Sequence, residues 1–267
     1  MGNFSWAMPY ASRRMPIFAE NMVATSQPLA AQAGLRMLHD GGNAVDAALA
    51  TAITLTVVEP VMNGIGSDAF CILWDGQQLH GLNASGRSPA AWTPERFAGL
   101  EGMPQLGWEA ITVPGCVSAW VALSKRFGRL PFEKLFEPAI HYAESGFQVG
   151  PVSSEMWEGS VEILGKFKEF RRVFLPQGRA LQTGERFQNP DQAKTLKLIA
   201  ETKGEIINIG PDEEFITINQ LADKLANQLR FNLNPQFVKG RPQEVLHATC
   251  SADKARKILG YKTKTSL

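Results

Sequence analysis

Residues 22–76 read MVATSQPLAAQAGLRMLHDGGNAVDAALATAITLTVVEPVMNGIGSDAFCILWDG, and the order of helical and strand-like patterns in this stretch decides the fold. Ser26 is placed to cap a helix that runs to His39 and is closed by Gly41 and Gly42. Asn43, with Asp46 three residues on, marks a second helix start of the capping-box kind. In that helix Val45, Ala48, Leu49, Ala52 and Ile53 recur at helical spacing. Its small apolar side chains face several directions, so it is expected to be sandwiched between layers. The loop Asn63–Asp68 reads as a tight turn feeding a strand, with glycines that permit close backbone approach. Ala69–Trp74 is a short apolar run that breaks at Asp75-Gly76 and resumes over residues 78–83, the pattern of a β-hairpin.

Working outward, GLNASGRSPAAWTPERF spans residues 81–97 and puts Arg87 at a strand end, where a loop can aim it into a cleft. After Pro114 the pattern turns helical. Phe132, Leu135, Phe136, Ala139, Ile140 and Ala143 share one helical face, and Gly146 supplies the stop. Asn189-Pro190 opens a further helix ending at Gly204, whereas Lys166–Gln188 has no regular pattern.

The blocks GGNAVDAA (41–48), VVEP (57–60), GIG (64–66) and ITVPGCVSAWVALSKRFGRLPFEKLFEPAIHYAESGFQV (111–149) resemble the amino-terminal part of the large subunit of the γ-glutamyltransferases, the glutathione hydrolases and their cephalosporin-acylase-like relatives. The resemblance covers about residues 10–204. It implies an α+β chain with part of the αββα layered fold of the amino-terminal nucleophile hydrolases, together with a helical segment. In that family a precursor cuts itself, and the freed amino-terminal threonine of the small subunit attacks the γ-glutamyl carbonyl with its own α-amine as base. The matched segment precedes that subunit, so the chain alone is expected to have no catalytic residue. It would need a small-subunit chain with an amino-terminal threonine to act on a γ-glutamyl compound such as glutathione. No cofactor is implied.

The family's arginine that grips the glutamyl α-carboxylate matches Arg87, in keeping with the planar guanidinium fork that pairs bidentately with a carboxylate. Many relatives are glycine-rich after GIG, whereas this chain has Ser67 and Asp68, which argues against a substrate contact there.

From Glu205 the text changes to EIINIGPDEEFITINQLADKLANQL and, from Gly240, GRPQEVLHATCSADKARKILGYKTKTSL. This resembles the carboxy-terminal end of an extended short-chain dehydrogenase/reductase of the NAD-dependent epimerase/dehydratase type. The resemblance implies a small α/β tail in which Arg241 faces the diphosphate of a nucleotide sugar and Glu244 makes a ribose or structural contact. A short strand is expected at Ile206–Ile209 and a turn at Gly210–Asp212. Thr217 and Gln220 form a capping box for a helix with Leu221, Leu225 and Leu229 inward, and Ser251 caps a last helix stopped by Gly260. The glycine fingerprint of a dinucleotide site is absent, and no tyrosine has lysine four residues later. Redox chemistry on NAD is therefore not expected. Two pieces, 1–204 and 205–267, would then meet as a chimera that is inactive alone, the alternative being a nucleotide-sugar-binding remnant without catalysis.

Composition excludes several other classes. A net charge of +1 provides no basic stripe for nucleic acid. No stretch approaches the roughly 20 apolar residues of a membrane span. Arg13 and Arg14 are not followed by the apolar run of a secretory signal, and Trp6 stands where an acylation signal needs Ser or Thr, so a cytoplasmic chain is expected. Cys71, Cys116 and Cys250 lack disulfide or zinc spacing, as His39, His80 and His141 lack metal spacing. Asp46 and Glu59 are accounted for by helix capping and strand-end structure.

Overall fold

A computed structural model describes residues 18–90, 92–202, 205, 207, 212, 216–230, 232 and 251–262. The chain divides into two compact units, Met1–Ala200 and Glu201–Leu267.

The first unit is built around a helix pair. Helix α1, Pro28–His39, begins one residue later than Ser26 capping would place it, because Gln27 is the cap and its side-chain oxygen accepts from the amides of Leu29 and Ala30. Ser26 Oγ donates instead to Glu59 Oε2 at 2.8 Å, tying the approach to α1 to the far end of the next helix. Pro28 at the first turn has no amide to leave unsatisfied. Gly41, at φ 88°, ends the helix in the left-handed region that suits glycine.

Helix α2, Ala44–Val58, starts on the expected capping box of Asn43 and Asp46 and buries eleven of its fifteen residues. It packs against α1, against α3 (Cys116–Phe127), against a 3-10 turn at Phe132–Phe136 and against α4 (Glu137–Ser145). Its surroundings are thus mainly helical. The close approach of α1 requires Gly34, where a Cβ would stand 2.4 Å from Thr51 Oγ1.

The face running from Phe132 to Ala143 is not one helix. Pro138 has no amide to donate backward, so residues 132–136 wind as 3-10 and the α-helix begins at Glu137. Leu135, Phe136, Ala139 and Ala143 still end up fully buried together. Gly146, at φ 80°, stops α4 as expected.

The stretch expected to be irregular contains α6 (Lys168–Phe174), which follows α5 (Pro151–Leu164). Packing explains it. Trp157 Nε1 donates to the Phe174 carbonyl at 3.0 Å, and the Trp157, Phe174 and Phe187 rings meet with centroids 4.8–5.9 Å apart. Helix α7, Pro190–Thr202, opens at Asn189, whose Oδ1 accepts from Gln192 N.

Among the described residues the strands form two separate antiparallel pairs. Strand β1 (Ala69–Trp74) pairs with β2 (Leu79–Ala84), and β3 (Phe147–Gln148) with β4 (Arg186–Phe187). The first is the expected hairpin, with Trp74 opposite Leu79 and Ala69 opposite Ala84. Its turn is held by Asp75 Oδ1, which accepts from Gln77 N and Gln78 N at 2.8 Å each, and Gly76 sits at φ 97°. The inward positions of β1 and β2 pack on α3.

In the second unit, helix α8 (Ile218–Leu229) has the expected Thr217–Gln220 capping box. Its buried face is displaced from the expected leucine row: Leu225 is half exposed, while its neighbour Ala226 is buried. The Leu229 side chain lies outside the described residues. Helix α9 (Asp253–Leu259) starts after Ala252, with Ser251 Oγ accepting from Asp253 N at 3.2 Å, and ends at Gly260, φ 62°. Asp212 accepts from Ala252 N at 2.6 Å and pairs with Arg256. Of the strand expected at 206–209 only Ile207 is described, and it has no regular structure. No helix among the described residues is long and apolar enough to cross a membrane.

Candidate functional site

Strand β2 delivers Ser85-Gly86-Arg87 to a place where a second backbone segment, residues 112–115, closes over it. Thr112 Oγ1 donates to the Ser85 carbonyl at 3.0 Å, and Val113 N donates to the Arg87 carbonyl at 2.9 Å. The two segments touch main chain to main chain. A Cβ on Gly86, whose φ is 80°, would lie 1.9 Å from the Val113 oxygen, and one on Gly115 would lie 2.1 Å from the Ala84 oxygen. Only glycine fits either position. The backbone of Arg87 is thereby fixed while its side chain stays exposed. No carboxylate among the described residues pairs with its guanidinium.

The same residues connect to the turn before β1. Gly115 N and Cys116 N, at the start of α3, donate to the Ser67 carbonyl at 3.2 and 3.0 Å, so that carbonyl caps the helix. Ser67 Oγ donates to the Gly64 carbonyl at 2.6 Å, and the Cys116 thiol to the Ile65 carbonyl at 3.0 Å. Burial pushes the Cys116 thiol above its ordinary range, opposed by the hydrogen bonds around Ser67. It is a packed group, poorly suited to act as a nucleophile. Gly64 and Gly66 have open space where a Cβ would project, so the turn itself, and no close approach within the described chain, accounts for this loop.

Residues 30–232 match the Gamma-glutamyltranspeptidase family. The chain belongs to that family. It is 39% identical over 188 residues to the glutathione hydrolase-like YwrD proenzyme of Bacillus subtilis, an alignment covering 69% of this chain and 36% of the relative. It is similar to the crystal structure of cephalosporin acylase from Bacillus halodurans, with TM-score 0.72 and 44% identity over 76% of this chain and 40% of that one. It also resembles Helicobacter pylori gamma-glutamyltranspeptidase, with TM-score 0.66 and 28% identity over 70% of this chain and 56% of that one. The chain thus spans about a third of the length of the curated relatives it matches. The family match runs past the change of text at Glu205.

In this γ-glutamyltranspeptidase-family chain the remaining candidates sort by their contacts. Arg241 and Glu244 lie outside the described residues, as does Cys250. His39 and His141 are exposed, the latter beside Ser145 Oγ at 3.4 Å. His80 is held between Asp75 Oδ2, at 2.6 Å, and Arg126, at 3.2 Å. The amides of Gln78 and Gln77, with the His80 ring, hold the Asp75 carboxyl far below the usual carboxylate range. No group of three or more metal-ligating side chains occurs among the described residues.

Asp46 and Glu59 are structural in ways that local sequence shows only in part. Asp46 is fully buried and accepts from Asn43 N, Arg129 N and Leu130 N at 2.9, 3.0 and 3.3 Å, which anchors the turn after α3 onto the start of α2. Glu59 follows the last residue of α2 rather than ending a strand, and it holds Ser26 and Asn63. Sequence reading passed over residues 112–115, which build the Arg87 loop. Their available signal is Pro114-Gly115, a turn pair just before a helix.

Proposed function

We propose that this chain contributes the carboxylate-gripping part of a γ-glutamyl-transferring or hydrolysing enzyme, with Arg87 as the group that pairs with the substrate α-carboxylate. The observation that carries the reading is the locked loop at the end of β2, which fixes the Arg87 backbone and leaves the guanidinium exposed without a partner carboxylate among the described residues. A bidentate guanidinium–carboxylate pair benefits from a fixed backbone, since less freedom is lost on binding. Relatives named as glutathione hydrolase proenzymes support glutathione or a related γ-glutamyl compound as substrate. Residues 1–267 would supply recognition, while the attacking threonine would stand at the amino terminus of the small subunit.

The reading also includes the origin of the tail. Residues 205–267 would derive from an epimerase/dehydratase-type reductase, supported by the text from Glu205 onward and by the compact unit Glu201–Leu267. The family match through residue 232 weighs against a seam as early as 204. Titration with a UDP-sugar separates the alternatives: tight binding abolished by Arg241→Ala would make the tail a binding module, and its absence is expected.

Two measurements on the 267-residue chain test the main reading. Hydrolysis of a chromogenic γ-glutamyl anilide is expected to stay at background, because loss of a nucleophile typically removes about a millionfold of rate. Saturation-transfer NMR with glutathione should show contact to the glutamyl Cα proton that Arg87→Ala removes and Arg87→Lys weakens. Turnover by the isolated chain would refute the division of labour. Glutathione contact unchanged in Arg87→Ala would refute the assigned role.

A further inference from the structure

We propose that Asp75, His80 and Arg126 form an acid-opened latch between the tip of the β1–β2 hairpin and the last turn of α3. His80 takes an inward position on β2, and its side chain is 11% exposed. Its Nε2 lies 2.6 Å from Asp75 Oδ2 in the hairpin turn, and its Nδ1 lies 3.2 Å from Arg126 Nη2 on α3. The Phe127 ring is shared by both, its centroid 4.9 Å from that of the imidazole and 4.8 Å from the Arg126 guanidinium carbon.

The two partners fix the protonation of the ring. An ionised carboxylate only accepts, so Nε2 must carry a proton, and a guanidinium only donates, so Nδ1 must carry none. Both contacts are made together only by the neutral ring. A second proton goes to Nδ1, where it sets donor against donor and like charge against like charge at Arg126. The Asp75 contact survives that change and becomes an ion pair, because the Gln78 amide, with the ring itself and the Gln77 amide, holds the carboxyl far below the usual carboxylate range. The side-chain amide of Gln78, 3.3 Å from Nε2, is uncharged and can present oxygen or nitrogen, so it suits either state. No other charged side chain among the described residues is hydrogen-bonded to the ring. Acid therefore releases Arg126 and keeps Asp75.

The element set free is the hairpin tip. Asn43 Nδ2 donates to the Phe127 carbonyl at 2.7 Å, which keeps the last turn of α3 on α2 whatever the charge of His80. At the base of the hairpin, Gly115 N and Cys116 N donate to the Ser67 carbonyl, and these main-chain bonds are untouched by proton uptake. The hairpin is thus fastened to α3 at its base and latched to it at its tip, with one imidazole as the catch. This inference does not depend on the role assigned to Arg87.

A pH titration of the nitrogen-labelled 267-residue chain, followed by proton–nitrogen NMR, tests it. Before the ring takes up its second proton, the spectrum should show a proton on Nε2 of His80 and none on Nδ1. The heteronuclear NOE of Arg126 Nε should then fall, as the side chain comes free, with the same midpoint as the His80 ring signals. A double-mutant cycle of His80→Phe and Arg126→Ala, read by urea unfolding, should show a coupling of about threefold in the unfolding constant above that midpoint and none below it. The spectra need only the parent chain, so they decide the matter if a variant fails to fold. A proton on Nδ1 of the neutral ring, an Arg126 side chain indifferent to the His80 titration, or a coupling that is the same on both sides of it would overturn the proposal.

Discussion

Asp46→Asn replaces a fully buried carboxylate that, among the described residues, is bonded only to backbone amides. The carboxylate accepts from Asn43 N at 2.9 Å, Arg129 N at 3.0 Å and Leu130 N at 3.3 Å. All three amides donate to Oδ2, and Arg129 N also reaches Oδ1 at 3.2 Å, so an asparagine that keeps its oxygen in the Oδ2 place turns its NH2 toward the Arg129 N–H. That donor-to-donor contact replaces the second acceptor of Arg129 N, and the three bonds at Oδ2 lose their charge assistance, at roughly 1 kcal/mol each.

Together these losses amount to about 2–4 kcal/mol for asparagine, and about 3–5 kcal/mol for Asp46→Ala, which removes every acceptor and the capping box as well. For a unit of this size that corresponds to a fall in Tm of about 4–16 °C for the asparagine variant. The assay is thermal unfolding followed by tryptophan emission, because Trp120 and Trp157 are nearly fully buried in the same core. Asn43→Ala combined with Asp46→Asn should cost less than the two single losses added, since both act on one capping box. A Tm for Asp46→Asn within about 1 °C of the parent chain would refute the assignment of Asp46 as the clamp between α2 and the turn after α3.

Two further outcomes follow from named contacts. Gly86→Ala combines a strained positive φ with a Cβ 1.9 Å from the Val113 oxygen. It should lower stability by about 1–3 kcal/mol in urea titration and abolish the glutathione contact proposed for Arg87. Glu185 accepts from Arg179 and Gln182 N, which hold its carboxyl down to about 2. A depressed folded-state value means that its stabilising contribution is present above the ordinary glutamate range and is lost as the pH falls toward 2. The difference in urea midpoint between the parent chain and Glu185→Gln should therefore shrink between about pH 5 and pH 2. A difference that stays constant with pH would count against the contact.

Elements set by neighbours within three or four residues were legible in the sequence. The capping boxes at Asn43 and Thr217, the hairpin around Asp75-Gly76, and the stops at Gly146 and Gly260 each depend on a bond or a dihedral inside one turn, so the local text specifies them. Family membership was legible in the blocks around GGNAVDAA for the same reason that it was specific, since that run packs helix start, buried face and turn into a few residues.

What lay beyond that range was decided by packing. Ser26 looked like the cap of α1, yet its hydroxyl is drawn to Glu59, 33 residues away, and Gln27 takes the role. The apolar face from Phe132 to Ala143 kept its burial, but Pro138 changed the winding beneath it. Helix α6 formed in an unpatterned stretch because the Trp157 indole needs the Phe174 carbonyl and the surrounding rings close over it. Leu225 stayed half exposed because a helix has no preferred side until something packs against it.

The Arg87 site shows the division most clearly. The sequence singled out Arg87 through the family resemblance, but it could not bring residues 112–115 against residues 84–87, some 27 positions apart in the bond from Thr112 to Ser85. That contact exists because two glycines remove the side chains that would hold the backbones apart, and because α3 docks on the hairpin and carries its own amino terminus into place. Local bonds are determined by the residues that make them. A meeting of distant segments is determined by the whole core that closes the loop between them, because only its burial offsets the entropy of that closure.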